Sequence, residues 1–388
     1  MIYFLTIALG YLLITSFILG VNYIDFTPLL TFESNKNNAS YPMVSICIPA
    51  RNEEAVIERA IQSLLSQNYP NFEIIVLDDQ STDATQEIIS GLKKDNPEYI
   101  KIIAGKPKPD NWLGKSWACH QLNEAASGER LLFIDADVWL EPTAVGRIVQ
   151  SMKHHAVDFI TVWPLQRVAT FWETVVIPII YYGLLSLLPA RYVHRYPRWL
   201  PSSLKKRLAP RFAAACGQCL AFKIETYRQI GGHESVKNDV VEDVALARQI
   251  KSNGYTMRMY HGEDAAHCRM YTSGAEMWQG FRKNFLALYN NSIPAFIFMA
   301  LLNFVVYVLP FVLLPFALWS GNSLNIALSS TAIGLIFLHR LLLSRWYSFS
   351  VAASFTHPLG VLWFHALGIR VLVDYFKGHA PEWKGRST

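Results

Sequence analysis

Between Val44 and Val138 the chain alternates short β-rich runs with segments of helical periodicity, and that rhythm leaves few folds open. VSICIPA (44–50), FEIIVLDD (72–79), IKIIAG (100–105) and RLLFIDADV (130–138) are predicted strands. Between them Glu53–Gln67, Thr82–Lys93 and Ser116–Ala126 are predicted helices; in the first, Ala55, Val56, Ala60, Ile61, Leu64 and Leu65 make one apolar stripe. Ser81 or Thr82 is the expected N-cap of the second helix. Alternation of this kind predicts an α/β fold, with a mostly parallel sheet, helices on both faces, and ligands bound at the carboxyl ends of the strands.

The ends of the chain have a different character. Residues 1–20, MIYFLTIALGYLLITSFILG, carry no charge and are about long enough to span a bilayer. They lack the basic start and small-residue cleavage site of a signal peptide, so they read as an anchor. Glu33–Tyr41 is a polar linker. After Pro294 three more apolar stretches follow: Ala295–Trp319, Leu324–Leu343, and Phe349–Val373, the last interrupted by His357-Pro358 and His365 and expected to be broken or re-entrant. A shorter run, Thr174–Leu188, is broken by Pro178 and is expected to lie at an interface or wall a lipid acceptor site. The basic segment Arg191–Arg211, with Arg195, Arg198, Lys205, Lys206 and Arg207 among Tyr196 and Trp199, suits anionic headgroups or a solvated loop.

Composition agrees with lipid contact, since 52% of the residues are hydrophobic and only 17% charged. The net charge of +5 lacks the dense basic patch that nucleic-acid binding requires. Five cysteines, with one close pair at Cys216 and Cys219, make no zinc site and read as reduced.

Acidic clusters mark the strand ends. Asp135 and Asp137 follow an apolar run at i and i+2, a spacing that a continuing strand would turn to one side, where they suit a divalent cation carrying phosphates. Asp78-Asp79 end the second strand, where a carboxylate accepts hydrogen bonds from a nucleotide base and ribose; Asp78 equally suits a turn or cap. Gly114-Lys115 offer close backbone approach and a cation at a helix start, but the spacing is wrong for a Walker loop and excludes that ATPase motif. Glu242-Asp243 precede ALARQI, where acidic residues also simply favour a first helical turn.

Taken in order, Pro49-Ala50-Arg51-Asn52-Glu53, Asp78-Asp79, Asp135-Ala136-Asp137 and Glu242-Asp243 resemble the motifs of the family-2 glycosyltransferases, membrane-associated enzymes of the GT-A fold. The resemblance covers roughly 44–284. It implies donor-nucleotide contacts at Pro49, Ala50, Arg51, Glu53, Asp79, Lys115, Asp135 and Ala136, a direct Mg or Mn ligand in Asp137, and a general base in Asp243. It also implies acceptor contacts at Gly217, Gln218 and Glu242, with Gly231-Gly232 turning beside them. Trp278-Gln279-Gly280-Phe281-Arg282-Lys283 is similar to the family's Gln-x-x-Arg-Trp motif, so Gln279 and Arg282 would reach the diphosphate. Lys283 stands where processive polymer synthases carry Trp, which favours single-sugar transfer. The closing Trp383-Lys384-Gly385-Arg386 is similar to endings in members that glycosylate carotenoids, hopanoids and ceramide.

The expected organisation is an anchor (1–22), a linker (23–43), a catalytic domain (44–294) with a membrane-facing insert at about 171–211, C-terminal spans (295–376) and a basic tail (377–388). The expected activity is metal-dependent, inverting transfer of one sugar, most readily from a UDP-sugar, to a lipid such as a carotenoid, hopanoid or sphingolipid-like molecule. The catalytic domain is expected to face the cytoplasm from a multi-pass membrane protein. A processive exopolysaccharide synthase and a non-catalytic nucleotide-sugar-binding scaffold are the alternatives.

Overall fold

The structure is a computed structural model, and it describes residues 1–33, 41–197, 199–289 and 291–377, with two short strands at 382–383 and 386–387. The elements in chain order are α1 (Ile2–Asp25), β1 (Val44–Ala50), α2 (Ile57–Leu65), β2 (Phe72–Asp78), α3 (Thr85–Asp95), β3 (Ile100–Ala104) and α4 (Gly114–Ala125). Then come β4 (Arg130–Ile134), β5 (Val138–Leu140), α5 (Ala144–His154), β6 (Phe159–Gln166), α6 (Phe171–Leu187), α7 (Arg191–His194) and α8 (Ser202–Leu208). The remainder are β7 (Cys219–Lys223), α9 (Ile224–Gln229), α10 (Glu242–Ser252), β8 (Met257–Cys268), α11 (Gly274–Asn284), α12 (Ile293–Tyr307), α13 (Leu309–Ser320), α14 (Ser323–Trp346) and α15 (His357–Phe376). They fall into two units, one of Phe26–Arg167 and Ala190–Met270, the other of Met1–Asp25, Val168–Pro189 and Tyr271–Thr388.

The first unit holds an eight-stranded sheet in the order β3-β2-β1-β4-β7-β6-β8-β5. Its first four strands are parallel, as the alternation predicts. Beyond β4 the sheet is mixed: β7 runs antiparallel to both β4 and β6, β6 pairs parallel with β8, and β5 returns antiparallel to β8. Ile46, Ile48, Val76, Leu132, Ile134 and Ile160 are buried in its core with helix residues such as Ile61 and Leu64. Each such side chain stabilises the fold by about 1.5–3 kcal/mol.

Three predicted element ends move, all at the sheet edge where the acidic motifs lie. β4 stops at Ile134, so Asp135 and Asp137 stand in a turn and not on a continuing strand. The pairing of β4 with β1 ends at Cys47↔Phe133, the Asp135 N–H goes to the Gln218 carbonyl, and the Val138 N–H closes the turn on the Asp135 carbonyl. α2 begins at Ile57; ahead of it the N–H groups of Glu53 and Glu54 are taken by Thr85 Oγ1 and Asp83 Oδ2, which tie this stretch to the loop after β2. α3 begins at Thr85 and has no side-chain cap from Ser81 or Thr82. Those two residues are drawn into the loop by Asp78 and Asn52 instead.

The second unit is helical. By length and composition three of its helices can cross a membrane: Ile2–Asp25, Ser323–Trp346 and Ala352–Phe376. The single span expected over Ala295–Trp319 is instead two helices of 15 and 12 residues. Pro310 stands in the first turn of α13, where its missing N–H costs nothing; in a continuous helix it would leave the Val306 carbonyl without its bond and clash with it. At 1.5 Å per residue the pieces reach roughly 22 and 18 Å, short of a ~30 Å hydrocarbon core. Conversely His357 and Pro358 begin α15 and do not interrupt it, since a first turn tolerates proline. His365 stays within the helix, where its ring meets the Val361 and Ala300 carbonyls.

α6 likewise runs unbroken through Pro178, started by a capping box between Thr170 and Glu173. It packs on α1, and Asn22 of α1 donates to the Leu185 and Leu188 carbonyls at 2.6 and 2.7 Å. The run expected to be an insert of the catalytic domain is therefore part of the helical unit, as are residues 271–294. The basic segment stays with the sheet unit, where Lys251 Nζ holds the Tyr192 and Val193 carbonyls at 2.8 and 3.0 Å. Arg198 and the 34–40 stretch of the expected linker lie outside the described residues, as do the side chains of Lys206 and Lys283 and of the 383–386 ending.

Candidate active site

The loops after β1 and β2 are laced into one wall. The Asp79 N–H donates to the Ala50 carbonyl at 2.8 Å, and Arg51 Nη1 donates to the Asp79 and Gln80 carbonyls at 2.5 and 3.3 Å. Asn52 Oδ1 accepts from the Thr82 N–H at 2.8 Å. Asn52 and Gln80 both adopt positive φ, 53° and 58°, a conformation rarely held by non-glycine residues and here enforced by these cross-links. Asp79 is buried, and Asp78 Oδ1 accepts from the Ser81 N–H at 3.2 Å, the turn role open to it from the sequence.

Lys115 is the hub of the site. It stands in the first turn of α4, and its Nζ lies 2.7 and 3.0 Å from the two oxygens of Asp135 and 3.1 Å from Glu242 Oε1. One ammonium thus joins the turn after β4 to the start of α10, residues 107 positions apart (242 − 135). Burial would lower the Lys115 ammonium, but Asp135 and Glu242 hold it well above its ordinary value. Burial likewise pushes Glu242 up, and the Lys115 ammonium outweighs it, so that carboxyl sits below its usual range.

The two other carboxylates are driven the opposite way. Burial, reinforced by Asp135, raises Asp137 to about 7. Its Oδ1 is buried without a hydrogen-bond partner among the described residues, and Glu53 from the first loop adds negative potential. Asp243 in the first turn of α10 is raised to about 7, by burial and then by Glu242. Its Oδ2 accepts the Gly217 N–H at 2.6 Å and its Oδ1 the Val244 N–H at 2.7 Å, so the carboxylate is aimed by two backbone donors. A Cβ at Gly217 would stand 3.2 Å from Lys115 Nζ and 3.3 Å from Asp243 Oδ2, so a larger residue there crowds both groups unless they shift by a few tenths of an ångström.

The structure therefore brings Lys115, Asp135, Glu242, Asp243 and Gly217 into direct contact, with Ala136 and Asp137 on the same turn. Gln218, expected at the acceptor, is buried; its amide is spent on Gln166 at 2.8 Å and on the Cys268 sulfur at 3.0 Å. Gly231 and Gly232 hold positive φ of 79° and 47°, as a tight turn requires. Gln279 and Arg282 lie on α11 in the helical unit, where Arg282 Nε pairs with Asp374 Oδ2 at 2.6 Å.

Two site neighbours carry no sequence signal. Cys268 hydrogen-bonds Asp137 because β8 registers Cys268 against Val138; burial keeps its thiol protonated. His233 is buried and neutral, lowered to about 3, with its Nδ1 on the Tyr227 hydroxyl at 2.6 Å. Cys268 could be found only from the register of distant strands, and His233 only from the turn that folds it back onto Tyr227.

A mixed α/β sheet with clustered carboxylates and a lysine at its carboxyl edge is the architecture of a nucleotide-sugar transferase. Residues 45–231 match the model of glycosyl transferase family 2, so the chain carries a family-2 domain and is a glycosyltransferase. It is 28% identical over 357 residues to 4,4'-diaponeurosporenoate glycosyltransferase of Staphylococcus aureus strain MRSA252, covering 90% of this chain and 89% of that protein. The same enzyme of strain USA300 is 26% identical over 356 residues, with the same coverage. Among solved structures, a mannosyltransferase from Pyrobaculum calidifontis in complex with GDP-Man and Mn2+ has a TM-score of 0.51 at 16% identity, covering 96% of this chain and 99% of that one. That likeness shows the shared GT-A fold.

Proposed function

We propose that the protein transfers a single sugar, with inversion, from a nucleotide-sugar donor to a membrane lipid bearing a hydroxyl or carboxyl group. The observation that carries this reading is the Lys115 bridge, which holds Asp135 of the donor motif 2.7 Å away while Glu242 and Asp243 begin the neighbouring helix. Pro49, Ala50, Arg51, Glu53 and Asp79 form the nucleotide wall, and Lys115 is the cation for the diphosphate or ribose. Asp243, ionised and aimed by Gly217 and Val244, takes the proton of an acceptor hydroxyl as it attacks the sugar C1; the nucleoside diphosphate leaves from the opposite face.

The donor set fits a hard divalent cation. Asp137 Oδ1 is a buried oxygen with no donor among the described residues, and Asp135 stands beside it. Asp137 would ligate Mg²⁺ or Mn²⁺, with Asp135 toward a ligated water or the ribose. A bound divalent ion neutralises charge on the departing diphosphate.

The apolar unit and its three membrane-length helices support a bilayer-embedded acceptor and a multi-pass membrane protein; the catalytic unit would face the cytoplasm, where nucleotide sugars are made. The relatives' names give their acceptor as 4,4'-diaponeurosporenoate, a carboxylate. An acceptor of that class is already ionised near neutral pH, needs no base, and would make transfer insensitive to loss of Asp243. A hydroxyl acceptor needs the base.

The test is sugar transfer by purified full-length protein in detergent with Mn²⁺, offering radiolabelled nucleotide sugars to a total lipid extract, with EDTA as control. Metal-dependent label in the organic phase is expected. Label in an aqueous polymer would replace this reading with a processive synthase, and no label with any donor would leave the binding scaffold.

A further inference from the structure

The helical unit contains a charge that its fold leaves unanswered. Arg340, six residues before the end of α14, is completely buried, and none of its three guanidinium nitrogens has a hydrogen-bond partner among the described residues. Arginine cannot shed its charge as a buried lysine does. A buried guanidinium without a counter-charge is among the costliest arrangements a fold can hold. Other arginines of the chain are answered: Arg282 and Arg370 pair with Asp374, and Arg147 is held by the carbonyls of Leu29, Leu30 and Asp264. No nitrogen of Arg340 is, among the described residues.

Its surroundings are built for a ligand with oxygens. His357 lies within electrostatic reach of Arg340, is completely buried, and both of its ring nitrogens are also without partners among the described residues. It opens the 20-residue helix α15, so the positive end of that helix dipole stands on the same side as the guanidinium. Tyr182 packs 5.4 Å from the His357 ring, and its hydroxyl meets His339 Nδ1 at 2.9 Å, while His339 Nε2 meets Ser16 Oγ at 2.7 Å. Tyr307 closes the cluster 5.3 Å from His357. The helices that carry these polar tips are otherwise largely apolar.

We propose that Arg340 and His357 form the head-binding end of a lipid site within the helical unit, which takes the carboxylate or phosphate of an amphiphile whose apolar tail lies along the helices. The planar guanidinium fork matches two oxygens of one anion, and the imidazole supplies a further donor. An oxyanion on an apolar tail is the one ligand class that satisfies both the buried charge and its lipid-like surroundings. The assignment stands on the helical unit alone and does not depend on which molecule accepts the sugar.

The test uses full-length protein in a neutral detergent at pH 8, with melting followed by intrinsic fluorescence on adding oleate, dioleoyl phosphatidate or methyl oleate. Oleate, phosphatidate or both are expected to raise the melting temperature by about 3 °C or more, and methyl oleate to leave it unchanged. A response to oleate identifies a carboxylate head, and a response to phosphatidate alone a phosphate head. Arg340→Met is expected to melt at a higher temperature than the wild type without lipid, because it removes an unpaired buried charge, and to lose the anion response. Equal effects of oleate, phosphatidate and methyl oleate on the wild type would overturn the proposal, whether or not the variant folds. So would an Arg340→Met protein that melts lower and still responds to the anions.

Discussion

Replacing Asp243 with Asn sets a catalytic loss against a gain in stability, and the two can be measured separately. With a hydroxyl acceptor the loss of a general base lowers kcat by about 10²- to 10⁴-fold, or roughly 3–5 kcal/mol in the barrier. In the wild type the same group, raised to about 7 by burial and Glu242, must be ionised to act. The rate therefore climbs with pH through 7 and levels off above it, and at pH 6 it stands about tenfold below the plateau. For stability the sign is reversed. The folded state holds this proton more tightly than the unfolded state, so the contribution of Asp243 is favourable below about pH 4 and is lost as pH rises toward 7. At pH 8 the ionised group costs up to about 4 kcal/mol, which Asn removes. Asn returns about 1–3 kcal/mol of that, because its NH₂ must face the N–H of Gly217 or Val244, which the carboxylate accepted at 2.6 and 2.7 Å. The variant is expected to melt at or above the wild-type temperature at pH 8, bind donor normally by calorimetry, and transfer almost nothing. Hydroxyl transfer within tenfold of wild type, or a flat wild-type profile from pH 5.5 to 8.5, would refute the role of Asp243 as base.

Lys115→Gln leaves Asp135 and Glu242 without their cation; donor affinity should fall at least about tenfold, and the loss in melting temperature should be larger at pH 8 than at pH 5, where the carboxylates can protonate. Asp137→Asn removes the buried oxygen suited to a divalent ion, so Mn²⁺ should no longer strengthen donor binding in a calorimetric titration, while the metal-free protein melts no lower at pH 8. Gly217→Ala places a methyl group 3.2 Å from Lys115 Nζ and 3.3 Å from Asp243 Oδ2. It should cut transfer by more than about tenfold, with fold and nucleotide affinity kept, and normal turnover would show that this contact relaxes freely.

Local pattern sufficed for the parallel half of the sheet. The strands at 44–50, 72–78 and 100–104 lie within a residue of their predicted ends, because short continuous apolar runs rich in β-branched residues suit strands covered on both faces of a parallel sheet. The residues that cluster in the candidate site could be named from the sequence too, since carboxylates at strand ends and a lysine at a helix start are positions along the chain. Their partners were not. Asp135 reads as a strand residue until the pairing of β4 with β1 is seen to stop at Phe133, and Pro310 divides an apolar run whose composition alone looks like one span.

The sequence by itself determined the order of the acidic motifs, the α/β rhythm and the apolar ends, all of which depend on neighbours within a turn or a strand. Tertiary structure alone decided that Lys115 would bridge Asp135 and Glu242, and that Cys268 would meet Asp137 through the register of β8 against β5. It also decided that Arg340 and His357, 17 residues apart on separate helices, would share one buried place. Those meetings are set by how sheet and helices pack, and their electrostatics arise only once packing removes water from between the groups.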